Sequence, residues 1–256
     1  MTNQRSDRGD TSPTDKSESW RPDHLLAICW RQWRAERSLR RRGIDFRTTD
    51  PDAVRQAYAA MTPEEFAAIN GRQRWANAKT IYRSIRGLLP ERPLFALDLG
   101  SGLGESTANL ASLLHPESRI IGIEFAEHLV NIARAGVYAG SDGRSRPLVF
   151  VVGSVLETFR DERGESIADR SVDLVNASGI LGHHLDPVDA GRMLDEIARV
   201  LKPDGIAALD VGPKLSAAAL TSLMAGRGFD RLRRTRSNPL DRTGQVVFKR
   251  AEHQPV

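Results

Sequence analysis

The sequence predicts an α/β protein built on a doubly wound, mostly parallel sheet of seven strands, with a helical extension ahead of it. Three observations carry the prediction. An apolar run, Leu94-Phe-Ala-Leu-Asp98-Leu, ends in an acid and opens into Gly100, Gly102 and Gly104, which reads as a buried strand, a tight turn and a helix start. Strand and helix patterns then alternate through five units, which implies parallel pairing through crossovers. Two last strands follow, joined by a polar loop, and no internal repeat is apparent.

Composition sets the bounds. A chain of 256 residues with 40% hydrophobic side chains suits one enlarged domain, or a domain with an extension. Residues 1–19 are polar and mixed in charge, and nowhere do eighteen apolar residues run together. No secretion signal and no membrane span are therefore expected, and the expected location is cytoplasmic. Cys29 is the single cysteine, which excludes an internal disulfide and any cysteine-rich metal or redox site; no metal is expected. The formal charge of +4 comes largely from arginine. So modest a charge fits solvated faces as well as an anionic partner, and decides nothing alone.

In chain order, residues 1–20 read as a disordered tail, 21–93 as the helical extension or lid, and 94–250 as the α/β domain. From His24 onward Leu25, Leu26, Cys29, Trp30 and Trp33 recur at helical spacing, with Arg31, Arg34, Arg37 and Arg41 on another side. This predicts a helix docked by its tryptophans with its arginines in solvent, or turned towards phosphates or a partner. Asp50-Pro51 starts a second helix, and Thr62-Pro63-Glu64-Glu65 combines a capping box with proline at the first helical position. Another helix follows Gly71 and carries Trp75, Ile81, Tyr82, Ile85 and Leu88.

After the glycine turn, a helix runs from Gly104 to about Leu114, and strand two covers residues 119–124, ending in Glu124. A helix with Leu129, Ile132 and Ala133, a loop at 140–147 and strand three at 148–152 come next. Residues 160–170 are polar and expected exposed, and strand four spans 172–177. Asp186-Pro187 caps a helix running to Leu201, and Lys202-Pro203-Asp204-Gly205 stops it before strand five at 206–211. A helix at 215–224 and strands at 229–236 and 245–249 complete the set, with a loop at 237–244.

A glycine-rich strand–turn–helix with a later acid also suits dinucleotide folds, but their third glycine falls here on Glu105. Asp98 before the turn is a poor neighbour for pyrophosphate and a good one for an ammonium group. At this point the chain resembles the class I S-adenosylmethionine-dependent methyltransferases. Ala96-Leu-Asp98-Leu-Gly100-Ser-Gly102-Leu-Gly104 is similar to their first motif, and Ile121-Gly-Ile-Glu124 to their second strand with its ribose-binding acid. Val172-Asp-Leu-Val-Asn176-Ala-Ser178 is similar to their fourth strand, and Glu196-Ile-Ala-Arg199-Val-Leu-Lys202-Pro-Asp204-Gly205 to the helix and turn before the fifth. The likeness covers residues 94–249 and leaves out the helical extension. It implies the Rossmann-like methyltransferase fold, with S-adenosyl-L-methionine as cofactor. It also implies that Asp98, Gly100, Ser101, Gly102 and Gly104 hold the methionine part, and that Glu124 accepts from both ribose hydroxyls. The family's adenine-binding acid after strand three is replaced by Ser154, which follows Gly153. By the same resemblance Phe125, Val155 and Ser178 are placed at the cofactor.

Ligands of open α/β sheets bind beyond the carboxyl ends of the strands, which directs attention to Ser178-Gly-Ile-Leu-Gly-His183-His184-Leu-Asp186-Pro187. Here the chain resembles small-molecule methyltransferases with a histidine just before an Asp-Pro helix start. His184 matches it and is the first candidate base, ahead of His183, the alternative being that they only pack around the cofactor. The sequence runs Asn176-Ala-Ser178-Gly where the family's amino-methylating enzymes carry Asn/Asp-Pro-Pro-aromatic, and no cysteine lies in the catalytic half. A paired-glutamate loop of the arginine-methylating type is missing too. These absences leave a small-molecule acceptor methylated on oxygen or nitrogen, with Trp75, Asn77, Lys79 and Tyr82 as lid candidates, some of them only packing. The rivals are an RNA methyltransferase using arginines of 31–42 and 231–236, nucleic acid not being favoured, and a non-catalytic module that binds the cofactor. A monomer or homodimer is expected.

Overall fold

The computed structural model describes residues 23–48, 50–140, 142–236 and 244–251. The tail expected over 1–20 and most of the 237–244 loop lie outside them. Four helices come first: α1 (Asp23–Arg41), α2 (Pro51–Ala59), α3 (Pro63–Ile69) and α4 (Gly71–Ile85). Their starts follow the sequence closely. Asp50 accepts from the Asp52 amide to cap α2, and Thr62 with Glu65 forms the reciprocal capping box of α3.

The sheet follows as β1 (Phe95–Leu99), β2 (Arg119–Glu124), β3 (Val149–Val152), β4 (Val172–Ala177), β5 (Leu201–Val211), β6 (Phe229–Thr235) and β7 (Gly244–Arg250). Its helices are α5 (Glu105–Leu113), α6 (Glu127–Ala135), α7 (Pro187–Val200) and α8 (Ala217–Ala225). The spatial order is β3-β2-β1-β4-β5-β7-β6. β1 to β5 pair in parallel, while β7 runs antiparallel to both β5 and β6. The order reverses between β1 and β4, so the loops leaving their carboxyl ends part there and open a crevice. On one face of the sheet Leu97, Leu99, Ile121, Val175 and Leu209 pack with Leu194 and Ile197 of α7. On the other, Ala96, Ile120 and Leu174 meet Leu110 of α5 and Ile81 and Ile85 of α4. The extension is thus joined to the sheet through a shared core.

Two elements differ from the sequence expectation. α7 ends at Val200 and β5 begins at once with Leu201, opposite Val172, before Ile206 pairs with Leu174. Residues 202–205 bulge from the ladder instead of preceding it. Lys202 Nζ lies 2.9 Å from both oxygens of Asp173, which also takes Arg92 at 3.0 Å and the Phe95 amide at 2.9 Å, and this knot fixes the bulge. The second difference is α1. Ala35 and Leu39 form its inner side, with Phe46, Val54, Met61 and Phe66 in the same cluster, whereas Trp30 and Trp33 are 56% and 54% exposed. The tryptophans do not dock the helix; they share its outer face with arginine.

Candidate active site

Beyond the carboxyl ends of β1, β2 and β4 lies a cleft with about 1120 Å³ of empty space, its open mouth included. Its floor is sheet-derived: Gly100, Ser101 and Gly102 after β1, Glu124 and Phe125 after β2, Ser154 and Val155 after β3, Ser178 and His184 after β4. The helical extension covers it. Val54 and Tyr58 come from α2, Phe66 from α3, and Gln73 and Asn77 from α4.

The turn is shaped for close approach. Gly102 has φ +52°, and a Cβ there would sit 2.8 Å from the Phe66 ring. Among the described residues the buried Ser101 hydroxyl has no hydrogen-bond partner. Glu124 is 5% exposed; one carboxylate oxygen accepts from the Gly102 amide at 3.1 Å, the other from Ala126 at 3.0 Å. Burial raises its pKa, the amides oppose this, and nearby Asp98 adds to the rise. With the Phe125 amide as a third donor, the two oxygens still keep lone-pair capacity for a ligand hydroxyl. Ser154 Oγ accepts from the Leu156 amide at 3.2 Å. Ser178 is held from two sides, by Gln73 on its carbonyl at 2.6 Å and by Gln245 on its hydroxyl at 3.0 Å.

Three residues expected at the site stand elsewhere. Asp98 is fully buried behind the turn and does not line the cleft. Its carboxylate accepts from Ser106 and Thr107 at 2.6 Å each and from Asn176 at 2.7 Å. It fastens β1 to α5 and β4 and is not aimed at an ammonium group; burial raises its pKa. Gly104 also lies outside the lining and starts α5 at φ +86°, where a Cβ would press on Tyr138 and Phe150. His183 faces the other way from its neighbour. It lies against Gly212 and close enough to Asp210 to favour that carboxylate's charged form. Asp210 holds this loop by accepting from the amides of Ile180, Leu181 and Gly182 at 3.1, 3.1 and 2.9 Å.

His184 does line the cleft. Its Nε2 is 3.0 Å from the Tyr58 hydroxyl, and its buried Nδ1 has no partner among the described residues. Burial, with His183 and Lys214 adding, pushes its pKa down to about 4, so the ring is neutral at pH 7. Tyr58 stands edge-on to Phe66, Phe125 and His184, and burial pushes its hydroxyl pKa well up. Sequence reasoning missed Tyr58, Phe66 and Gln73. Among the lid candidates Asn77 lines the cleft, and Lys79 does not. Tyr82 is 41% exposed, beneath the Arg86 guanidinium. The Trp75 side chain lies outside the described ones. The lining residues Asn70, at the start of α4, and Gln73, Arg74 and Asn77 on it recur at helical spacing, a signal the sequence did carry. Arg233, one of the arginines considered for RNA, instead donates to the carbonyls of Arg83, Ser84 and Arg86 at the end of α4.

A doubly wound sheet with a glycine turn after its first strand and an acid ending its second defines a nucleotide-cofactor-binding α/β protein. Comparison with known proteins narrows this. Residues 96–205 match the family described as methyltransferase domain. Over those residues the chain is similar to the class I S-adenosylmethionine-dependent methyltransferases, whose domain takes S-adenosyl-L-methionine as cofactor. It is similar to an uncharacterized 37.1 kDa protein in transposon TN4556 of Streptomyces fradiae, 33% identical over 110 residues, 43% of this chain and 28% of that protein. It is also similar to demethylmenaquinone methyltransferase of Lactobacillus johnsonii, 31% identical over 116 residues, 43% of this chain and 41% of that protein. The chain thus spans less than half the length of the curated relatives it matches. Magnesium protoporphyrin IX methyltransferase from Synechocystis PCC 6803, solved with its cofactor, superposes with a TM-score of 0.55 at 15% identity, covering 79% of this chain and 93% of that one. At that identity the likeness is one of fold. The floor fits the cofactor: an unpaired Ser101 hydroxyl, a glycine that admits no Cβ, and a glutamate with lone pairs to spare.

Proposed function

We propose that this chain transfers a methyl group from S-adenosylmethionine to an oxygen or nitrogen of a small-molecule acceptor. The observation that carries the reading is the Tyr58–His184 contact, 3.0 Å, in the same covered cleft that the cofactor turn lines. The cofactor supplies a methyl group on positively charged sulfur, so the protein's main tasks are alignment and exclusion of water. Glu124 and the Gly100–Gly102 turn orient the donor end. Val54 and Tyr58 cover the cleft with apolar surface, and Phe66 lies over the Gly102 turn. His184 is neutral, and in the tautomer whose Nε2 accepts from the Tyr58 hydroxyl, that hydroxyl passes its proton to the ring as it takes the one leaving the acceptor. The imidazolium then formed is steadied by the same hydroxyl.

The reading is tested with radiolabelled S-adenosylmethionine against pools of small hydroxyl and amino compounds, with total RNA in parallel. Turnover should appear with the small molecules. It should fall by about 100-fold in His184→Ala, while S-adenosylhomocysteine affinity changes only a few-fold. Label entering RNA alone would support the RNA methyltransferase; tight cofactor binding without turnover on any pool would support the non-catalytic module.

A further inference from the structure

The outer face of α1 has no place in the chemistry above. Leu26 is 81% exposed, and Trp30 and Trp33 are more than half exposed. At spacings of four and three residues they form one stripe, which continues to Arg37 and is flanked by Arg34 and Arg41. Over Leu26 to Arg37 the stripe is about 16 Å long. The other arginines of this helix are engaged: Arg40 with Glu36 at 3.6 Å, Arg42 with Glu65, and Arg31 with the Ala27 carbonyl at 3.3 Å. Arg34, Arg37 and Arg41 meet no carboxylate among the described residues. Arg34 and Arg37 instead lie over the indole rings of Trp30 and Trp33, 4.7 and 5.4 Å from the ring centres.

We propose that this face docks the protein on an anionic phospholipid surface, α1 lying in the plane of the headgroups. Indole rings sit well at the boundary between headgroup and acyl chain, Leu26 reaches just beneath it, and guanidinium groups fork onto lipid phosphates. Charge complementarity selects anionic lipid. Single-stranded RNA also takes cations and aromatic rings, but one face of each indole is already covered by arginine, and a stacking base would have to displace it. Leu26 adds apolar surface that a nucleic acid does not use. Among the described residues no helix is long and apolar enough to cross a membrane, so the contact is peripheral. The inner face of α1 packs on α3 and α4, with Ser38 donating to Glu65 at 3.0 Å and Arg72 to Gln32 at 2.8 Å. The docking face therefore lies on the outside of the cover over the cleft.

The test is co-sedimentation of the full chain with vesicles of phosphatidylcholine alone or mixed with phosphatidylglycerol. Binding is expected only to the mixed vesicles, weakening as salt rises. Trp30→Ala with Trp33→Ala should lower the partition coefficient on the order of tenfold. Arg34→Gln and Arg37→Gln should each lower it about fivefold. All four side chains are exposed, and melting curves of the variants should match the parent. Equal binding to neutral and anionic vesicles would overturn the proposal, as would indifference to both substitution sets. So would RNA binding in place of lipid binding, or a dimer by light scattering that the tryptophan variants abolish. None of these outcomes depends on the acceptor of the methyl group.

Discussion

Replacing His184 by glutamine should flatten the acid side of the stability curve, and the size of the effect follows from the environment of the ring. An unperturbed histidine titrates near 6.5, and in the folded chain burial brings this to about 4. Between those values the unfolded chain binds a proton on His184 that the folded chain does not, so stability rises with pH across the window and is lost on acidification. The full span corresponds to about 3 kcal/mol at roughly 1.4 kcal/mol per pH unit. Asp98, Glu124 and Asp210 have raised pKa values and act with the opposite sign, since the folded chain then binds the extra proton. They are common to parent and variant and cancel in the difference. Denaturant melts of both proteins from pH 7.5 to about 4.5 measure it. The parent should lose about 2–3 kcal/mol more than the variant over that range. Parallel curves would refute the reasoning, because a ring that reaches water or an acid in the fold would not need to stay neutral.

Glu124→Gln should weaken S-adenosylhomocysteine binding by about 30-fold in calorimetry, since one of the two oxygens that would accept from a ribose hydroxyl becomes an amide nitrogen that can only donate, at a cost of about 2 kcal/mol. Unchanged affinity would remove Glu124 from the ribose site. Arg233→Met should lower the melting temperature by about 2–5 °C, because three carbonyls at the end of α4 lose a charged donor worth about 1–2 kcal/mol. Full retention of stability would mean that water replaces the guanidinium.

Much of the sheet is legible because β1, β2 and β4 are short apolar runs buried on both faces, which parallel strands require. The floor of the cleft is legible for a related reason: Gly100, Gly102 and Glu124 lie within one strand–turn–helix–strand unit, so their mutual position follows from local geometry. Asp98 shows the limit. Strand alternation places it with Ala96 on the side of α5, where Ser106 and Thr107 wait. The motif gives its position in the chain and says nothing of those two hydroxyls. The outward tryptophans of α1 show another limit. Helical periodicity groups residues on one face, but only the partner surface decides which face turns inward, and here that surface buries Ala35 and Leu39.

The cover of the cleft was the least legible part, and its contacts explain why. Each covering helix meets the floor at a point far away in sequence: α2 through Tyr58 on His184, α3 through Phe66 on Gly102, α4 through Gln73 on Ser178. No local pattern encodes such pairs. Two of the three contacts fall on groups the proposed chemistry uses, the turn for the donor and the ring proposed to take the proton. The same contacts that exclude water would therefore set the state of the proposed base. Covering His184 desolvates it and keeps it neutral, and the Tyr58 hydroxyl brought by the cover is its one hydrogen-bond partner among the described residues. A cleft opened by movement of α2 would hydrate the ring and separate it from that hydroxyl, so closure of the site and readiness of the base are one structural event.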